Sequence, residues 1–262
     1  MKSVRLTIVV DNQAQDNCLA EHGFALWIDL GDRHILLDTG QGHVLAGNIQ
    51  ALGLDPKKLT DLVLSHGHYD HTGGLPWVYQ TCPQIKLWSH PGITEPRYSI
   101  SNTEVRDIRM PRTSLEALGK IPESQVNWST RPHMLAPGIG VTGFIPRKTT
   151  FEDTGGPFFL DPRAQRPDPI EDDQALWIQT SEGLIVCLGC CHAGLINTLE
   201  YIQELSGSTQ IRAIIGGLHL GAASPERLEN TISALHTIQP QLLVPCHCTG
   251  QAAMDRLQAD MN

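Results

Sequence analysis

Residues 62 to 75, LVLSHGHYDHTGGL, place His66, His68, Asp70 and His71 within six positions directly behind a short apolar run. Neutral imidazole and carboxylate are the donors that suit Zn²⁺, Mn²⁺ or Fe²⁺. In an extended segment His66 and His68 fall on one side, and Asp70 and His71 come a step later, directed at a neighbouring position. Two such groups so close together predict one or two divalent metals per chain, zinc ahead of manganese and iron, able to activate water or polarise an electrophile. Gly67 keeps the turn free of a side chain, and Gly73 and Gly74 allow close backbone approach before the next helix. A set of surface histidines in a loop has no need of this density.

The elements that would position these donors are written twice in the chain. ALWIDLGDRHILLDTG (25 to 40) aligns without a gap on ALWIQTSEGLIVCLGC (175 to 190). Each reads as strand, polar turn, strand. A helical pattern follows in each half, near 43 to 53 (Val44, Leu45, Ile49, Leu52) and near 194 to 205 (Leu195, Ile196, Leu199, Ile202). Buried strands come next, Leu62-Val63-Leu64 ending at His66 and His68, and Ile211 to Ile215 ending at His219. Each half adds a further strand, IKLWSH closing at His90 and QLLVPCHC closing at His247, the latter after a helix near 225 to 238. Open sheets with helical crossovers place ligands beyond the carboxyl ends of their strands. The economical architecture is an α/β αββα sandwich of two related halves, one domain over 1 to 262, with the histidines gathered along one rim.

Between the halves the composition changes. Residues 91 to 150 hold eight Lys/Arg against five acids, in a chain whose net charge is −9. Residues 151 to 174, rich in Pro, Gly and acids, read as loop. The segment from about 91 to 174 is therefore expected to be an insertion near the rim. Arg106, Arg109 and Arg112 are its candidates for binding an anionic substrate, because guanidinium matches phosphate and carboxylate geometry.

Composition bounds the rest. With 262 residues, 40% of them hydrophobic, the chain can bury a sizeable core. The acidic balance and the lack of a basic run argue against nucleic acid as a partner. The apolar run before Asp11 is too short for a signal-peptide core, and no stretch reaches the roughly 20 apolar residues of a membrane span. The expected setting is cytoplasmic, away from membranes, with the seven cysteines reduced. Oligomeric state leaves no mark in the sequence.

The HxHxDH motif, preceded by ILLDTG and set in the duplicated frame, resembles the metallo-β-lactamase superfamily over nearly the whole chain. Together, LSHGHYDHTGGL, GCCHAGLINTLEY, IIGGLHL and VPCHCTG are similar to its dihydropterin-ribofuranosylaminobenzene-phosphate synthase subgroup. The resemblance implies that His66 and His68 bind a first metal, that Asp70, His71 and His247 bind a second, and that Asp38 orients a ligand from behind. Two departures stand out. No histidine lies between His133 and His192, where a third ligand of the first metal is normally found, and Cys190 stands where the frame expects a bridging aspartate.

His192 is the candidate for the missing ligand, in competition with Glu152 or Asp173 reaching in from the loop. Cys190 and Cys191 could ligate as thiolates but read first as small buried residues, with Cys190 beside the ligands. Cys246 and Cys248 flank His247 and by strand alternation should point away from it. His219, placed by the repeat where His66 and His68 stand, is expected to ligate or to donate a proton, and Asp70 to ligate and accept one. His90 reads as structural. His22, His34, His43 and His236 have no motif around them and read as surface or hairpin residues.

The implied function is a metal-dependent hydrolase or synthase-like transferase acting on a small anionic molecule, phosphorylated and pterin-like by resemblance. The alternative from another class is a non-catalytic metal-binding sensor or ligand-binding protein on the same fold. Loss of the bridging carboxylate would permit it.

Overall fold

The computed structural model describes residues 3–15, 17–102 and 104–261. They divide into two compact units. The first runs to Thr130 and takes in Pro157–Asp168, and the second comprises Arg131–Gly156 and the chain from Pro169 onward.

The first unit opens with β1 (Arg5–Val10), β2 (Ala25–Asp29) and β3 (His34–Leu37), an antiparallel run built on the first copy of the repeat. Helix α1 (Leu45–Ala51) then crosses to β4 (Asp61–Val63), which pairs parallel to β3. The chain turns through α2 (Tyr69–Thr72) and α3 (Leu75–Thr81) into β5 (Lys86–Ser89), parallel to β4. Then come β6 (Tyr98–Ser101), β7 (Glu104–Asp107), α4 (Arg112–Leu118) and β8 (Val126–Trp128), the last adding a sixth strand beside β5. Alternation chooses the packed face: Trp27, Leu36, Leu62 and Leu87 form a core with Leu45 and Ile49 of α1 and Leu75 and Val78 of α3.

In the second unit β9 (His133–Ala136) and β10 (Ile139–Val141) form a hairpin. The chain then returns to the first unit for β11 (Phe158–Phe159), which joins β6 and β7 in a small antiparallel sheet. Back in the second unit, β12 (Leu176–Thr180) and β13 (Gly183–Cys187) form the second copy of the repeat. Helix α5 (Leu195–Ser206), β14 (Ile211–Gly217), α6 (Pro225–Ile238), β15 (Leu242–Cys246) and α7 (Gln251–Met261) complete it. Its strand order is β15-β14-β13-β12-β10-β9. From β10 to β15 the pairing signs match those from β1 to β5, two antiparallel steps and then two parallel ones, while the outer strands differ: β8 joins β5 parallel and β9 joins β10 antiparallel.

The repeat is thus a repeat of topology as well as sequence. The helices near 43–53 and 194–205 form as α1 and α5 with ends shifted by one or two residues, and α6 occupies the expected span. The 91–174 segment contributes β8 to one sheet, β9 and β10 to the other, and β6, β7 and β11 to the small sheet. Most of 151–174 is loop, as its composition indicates. Among the described residues no helix is long and apolar enough to cross a membrane.

Candidate metal centre

In the first unit the donors lie past the ends of β3 and β4. Asp38, fully buried, follows β3 directly with φ 61°, a left-handed backbone unusual for a residue with a side chain. The cost is held by three hydrogen bonds. Asp38 Oδ1 accepts from Ser65 N at 2.7 Å, and Oδ2 accepts both from Ser65 Oγ at 2.7 Å and from His71 Nδ1 at 2.7 Å.

Those bonds fix tautomers. The single Ser65 hydroxyl proton goes to the carboxylate, so Ser65 Oγ accepts from His66 Nδ1 at 2.8 Å. His66 and His71 then each carry their proton on Nδ1 and an electron pair on Nε2, the form that coordinates metal. His66 Nε2 lies 2.9 Å from His68 Nδ1, so two ring nitrogens converge on one point.

His68 itself is extended, φ −76° and ψ 149°, and stands as the residue before α2, so the motif leaves the strand as a bend and re-enters as a helix. Asp70 and His71 both sit on that helix, with Asp70 Oδ2 3.8 Å from His71 Nε2. Gly67 is needed at the bend because a Cβ there would collide with the Ile93 carbonyl.

In the second unit the donors follow β13, β14 and β15. His192 is fully buried in the β13–α5 connection, and its Nδ1 donates to the Thr154 carbonyl at 2.8 Å, which leaves the electron pair on Nε2. Its ring centroid is 4.3 Å from that of His219. Potential ligand atoms of Cys190, His192 and His219 lie within 4.8 Å of one another, as do those of Cys190, His247 and Cys248. Cys191, His219 and His247 all have positive φ (62°, 47° and 50°). Backbone strain of this kind, at about 1–3 kcal/mol each, gathers where a structure aims side chains at a ligand.

The carboxylates that compete with His192 are engaged elsewhere. Glu152 accepts from Ile196 N at 2.9 Å and Asn197 N at 3.0 Å, capping the first turn of α5, whose N-cap Gly194 has no side chain to do so. Asp173 accepts from Ala193 N at 2.7 Å, and burial pushes its carboxyl up to about 7.

Three residues escape the sequence reading. Cys248 is not turned away from the ligands: β15 ends at Cys246, and residues 247–249 form a 3-10 turn that breaks strand alternation. Burial acts to raise its thiol, but hydrogen bonding to Cys190 and the neighbouring His219 and His247 together pull it well below the ordinary thiol range. His22, with no motif around it, has Nε2 3.2 Å from Asp70 Oδ2. Phe158, in the segment read as loop, has its ring centroid 5.4 Å from that of His68. Only the His247–Cys248 adjacency carried a signal in the sequence.

The three arginines differ in setting. The backbone of Arg109 bridges to His68, and its side chain bonds Asp107 at 2.8 Å and Tyr98. Arg106 lies on β7, paired with Glu104 at 2.8 Å. Arg112 is almost fully exposed on α4, paired with Glu116 one turn on.

Within each unit the arrangement suits a divalent cation: imidazole nitrogens with fixed electron pairs, a carboxylate in the first unit and thiols in the second. A family model described as the metallo-beta-lactamase superfamily matches residues 20–200. Among curated proteins, 7,8-dihydropterin-6-methyl-4-(beta-D-ribofuranosyl)-aminobenzene-5'-phosphate synthase of Methanocaldococcus jannaschii is 32% identical over 249 residues, 88% of this chain and 82% of that protein. A solved structure, Tm1679, described as a metal-dependent hydrolase of the beta-lactamase superfamily, superposes with TM-score 0.84 at 28% identity, over 99% of this chain and 93% of its own. The metallo-beta-lactamase fold protein YhfI of Bacillus subtilis shares the fold at TM-score 0.57 and 11% identity, over 98% and 91%. By sequence and by fold, this chain belongs to the metallo-β-lactamase superfamily.

Proposed function

We propose that the protein is a metal-dependent enzyme, hydrolase or synthase-like transferase, that acts on a small anionic substrate of phosphorylated, pterin-like character. The observation that carries this is the Asp38 relay, in which one buried carboxylate sets Nε2 of both His66 and His71 as electron-pair donors. The pterin and phosphate in the name of the 32% identical relative support the substrate class.

The residues that would hold metal are His66, His68, Asp70 and His71 in the first unit and His192 and His247 in the second, with Cys190 beside them. When bound, one or two divalent ions, zinc by the donor set, supply Lewis acidity and make water a stronger nucleophile near neutral pH. The chain's own groups do the remaining work. Asp70 is the proton acceptor, with His22 at hand to share the charge, and His219 donates a proton or a hydrogen bond where negative charge develops. Arg106 attracts the anion, while Arg109, bonded to Asp107 and Tyr98, braces the strands beside it.

Metal analysis of purified protein, followed by turnover assays on phosphodiesters, lactones, thioesters and phosphorylated pterins, tests the reading. Bound metal with chelator-sensitive turnover supports it. Tightly bound metal with no turnover of any of them favours the sensor alternative, and a protein that binds no divalent metal overturns both.

A further inference from the structure

The small sheet of the first unit has a composition that the catalytic reading does not use. Its registers pair Phe158 with Ser99 and Ser99 with Arg106. Residues directly opposite one another on antiparallel strands project to the same face. One face of β11-β6-β7 therefore carries, in a row, an aromatic ring, a small hydroxyl and a guanidinium. With strands about 4.8 Å apart, the ends of that row are roughly 10 Å from each other.

One contact orients this face toward the HxHxDH segment. The Phe158 ring packs against His68. The opposite face carries the other register row, Phe159, Tyr98 and Asp107, and there Arg109 bonds Tyr98 and Asp107. The two arginines thus serve different faces. Arg109 is consumed in bracing the sheet. Among the described residues Arg106 forms its ion pair with Glu104, and both side chains are more than half exposed, a pairing that an incoming anion can displace at little cost.

We infer that the Phe158–Ser99–Arg106 row is the specificity platform of the enzyme, taking a planar heteroaromatic ring on Phe158 and a phosphate or carboxylate about 10 Å away on Arg106. This deepens the reading given above and rests on it. Ser99 matters by its size, since a larger side chain between the two ends would lift the ligand off the sheet.

Neopterin 3′-phosphate is a fluorescent probe with both features, and neopterin and inorganic phosphate are its two parts. Titrations on chelator-treated protein separate binding from metal chemistry. The platform predicts that Phe158→Leu weakens neopterin and its phosphate alike, on the order of tenfold, and that Phe158→Tyr restores both. Arg106→Gln should weaken only the phosphate, by about tenfold, and leave neopterin as it was. Ser99→Leu should weaken both. Metal content of every variant is measured in parallel and should equal that of the wild type. Phe158→Leu or Arg106→Gln without effect, or Arg106→Gln weakening both probes equally, overturns the platform. So does a wild type that holds metal and turns over another ester yet binds neither probe, a result that leaves the metal-dependent enzyme standing.

Discussion

The two sheet units share a frame and differ in what they hang on it. Each has a hairpin followed by two parallel strands, but in the first the position after β3 is Asp38, whereas in the second the equivalent after β13 is Leu188. Asp38 disappears into hydrogen bonds that fix His66 and His71. Leu188 disappears into an apolar core with Ile214 and Leu199. The strand starts differ in the same way. Asp61 opens β4 buried against Arg33 at 2.6 Å and Trp88 Nε1 at 2.8 Å, while Ile211 opens β14 among hydrocarbon. The lesson is that the frame delivers positions and the local polar network delivers chemistry. The first unit is built of nitrogen and oxygen donors oriented by a carboxylate. The second gathers nitrogen and sulfur donors on strained backbone.

The largest effect should come from removing donors in the first unit. His66→Ala and His71→Ala are each expected to lose at least one metal and all turnover while keeping the far-UV circular dichroism of the wild type, because both side chains lie past the strands rather than in the sheet core. Full metal retention in both would break the contrast between the units.

Replacing the equivalent residues after β3 and β13 sharpens it. Asp38→Asn keeps one acceptor oxygen but replaces the other by an amide donor that faces Ser65 or His71, and should cost about 3 kcal/mol of stability. It should also weaken metal affinity about 10- to 100-fold through the misdirected histidines. Leu188→Ala should cost a similar 3 kcal/mol by leaving a cavity, with metal affinity untouched. Denaturant melts combined with metal titrations read both quantities, and a Leu188→Ala protein with impaired metal binding would refute the division of labour.

A smaller loss is expected at Glu152, which caps α5 from a distant loop. Glu152→Gln keeps one acceptor and should cost about 1 kcal/mol, without the change in metal content that a ligand would show. Smallest is Arg112→Gln. Its i,i+4 pair with Glu116 is almost wholly exposed on one side, so stability should move by less than about 0.5 kcal/mol. KM for an anionic substrate should hold as well. The same change at Arg106 should raise KM, more so at low salt where screening is weak. Equal responses of the two arginines would remove the distinction drawn between sheet and helix.

How much of this was legible in the chain can be judged residue by residue. The gapless repeat of sixteen positions was enough to reach two matching sheets, since hairpin and crossover patterns are local and hydrophobic periodicity records them. HxHxDH was equally visible, because four donors in six residues are a property of the string. Phe158 was not: its segment looks like loop, and its two-residue strand exists only because β6 is there to pair with it. Nor was the fate of Glu152, set by a helix that begins 43 residues later.

By itself, then, the sequence determined the family frame, the strand ends that carry His66, His68, His219 and His247, the connection that carries His192, and the acidic balance of the composition. Tertiary structure alone decided which nitrogen of His66, His71 and His192 carries the electron pair, because that depends on Asp38, which orients Ser65 and His71, and on the Thr154 carbonyl, each arriving from another element. It also decided that Cys248 joins His247 instead of turning away, because a 3-10 turn replaces the strand at that residue. Periodicity fixes direction only while an element lasts. Where an element ends, the side chain's direction is set by what packs there, and donors of a metal centre sit at such ends.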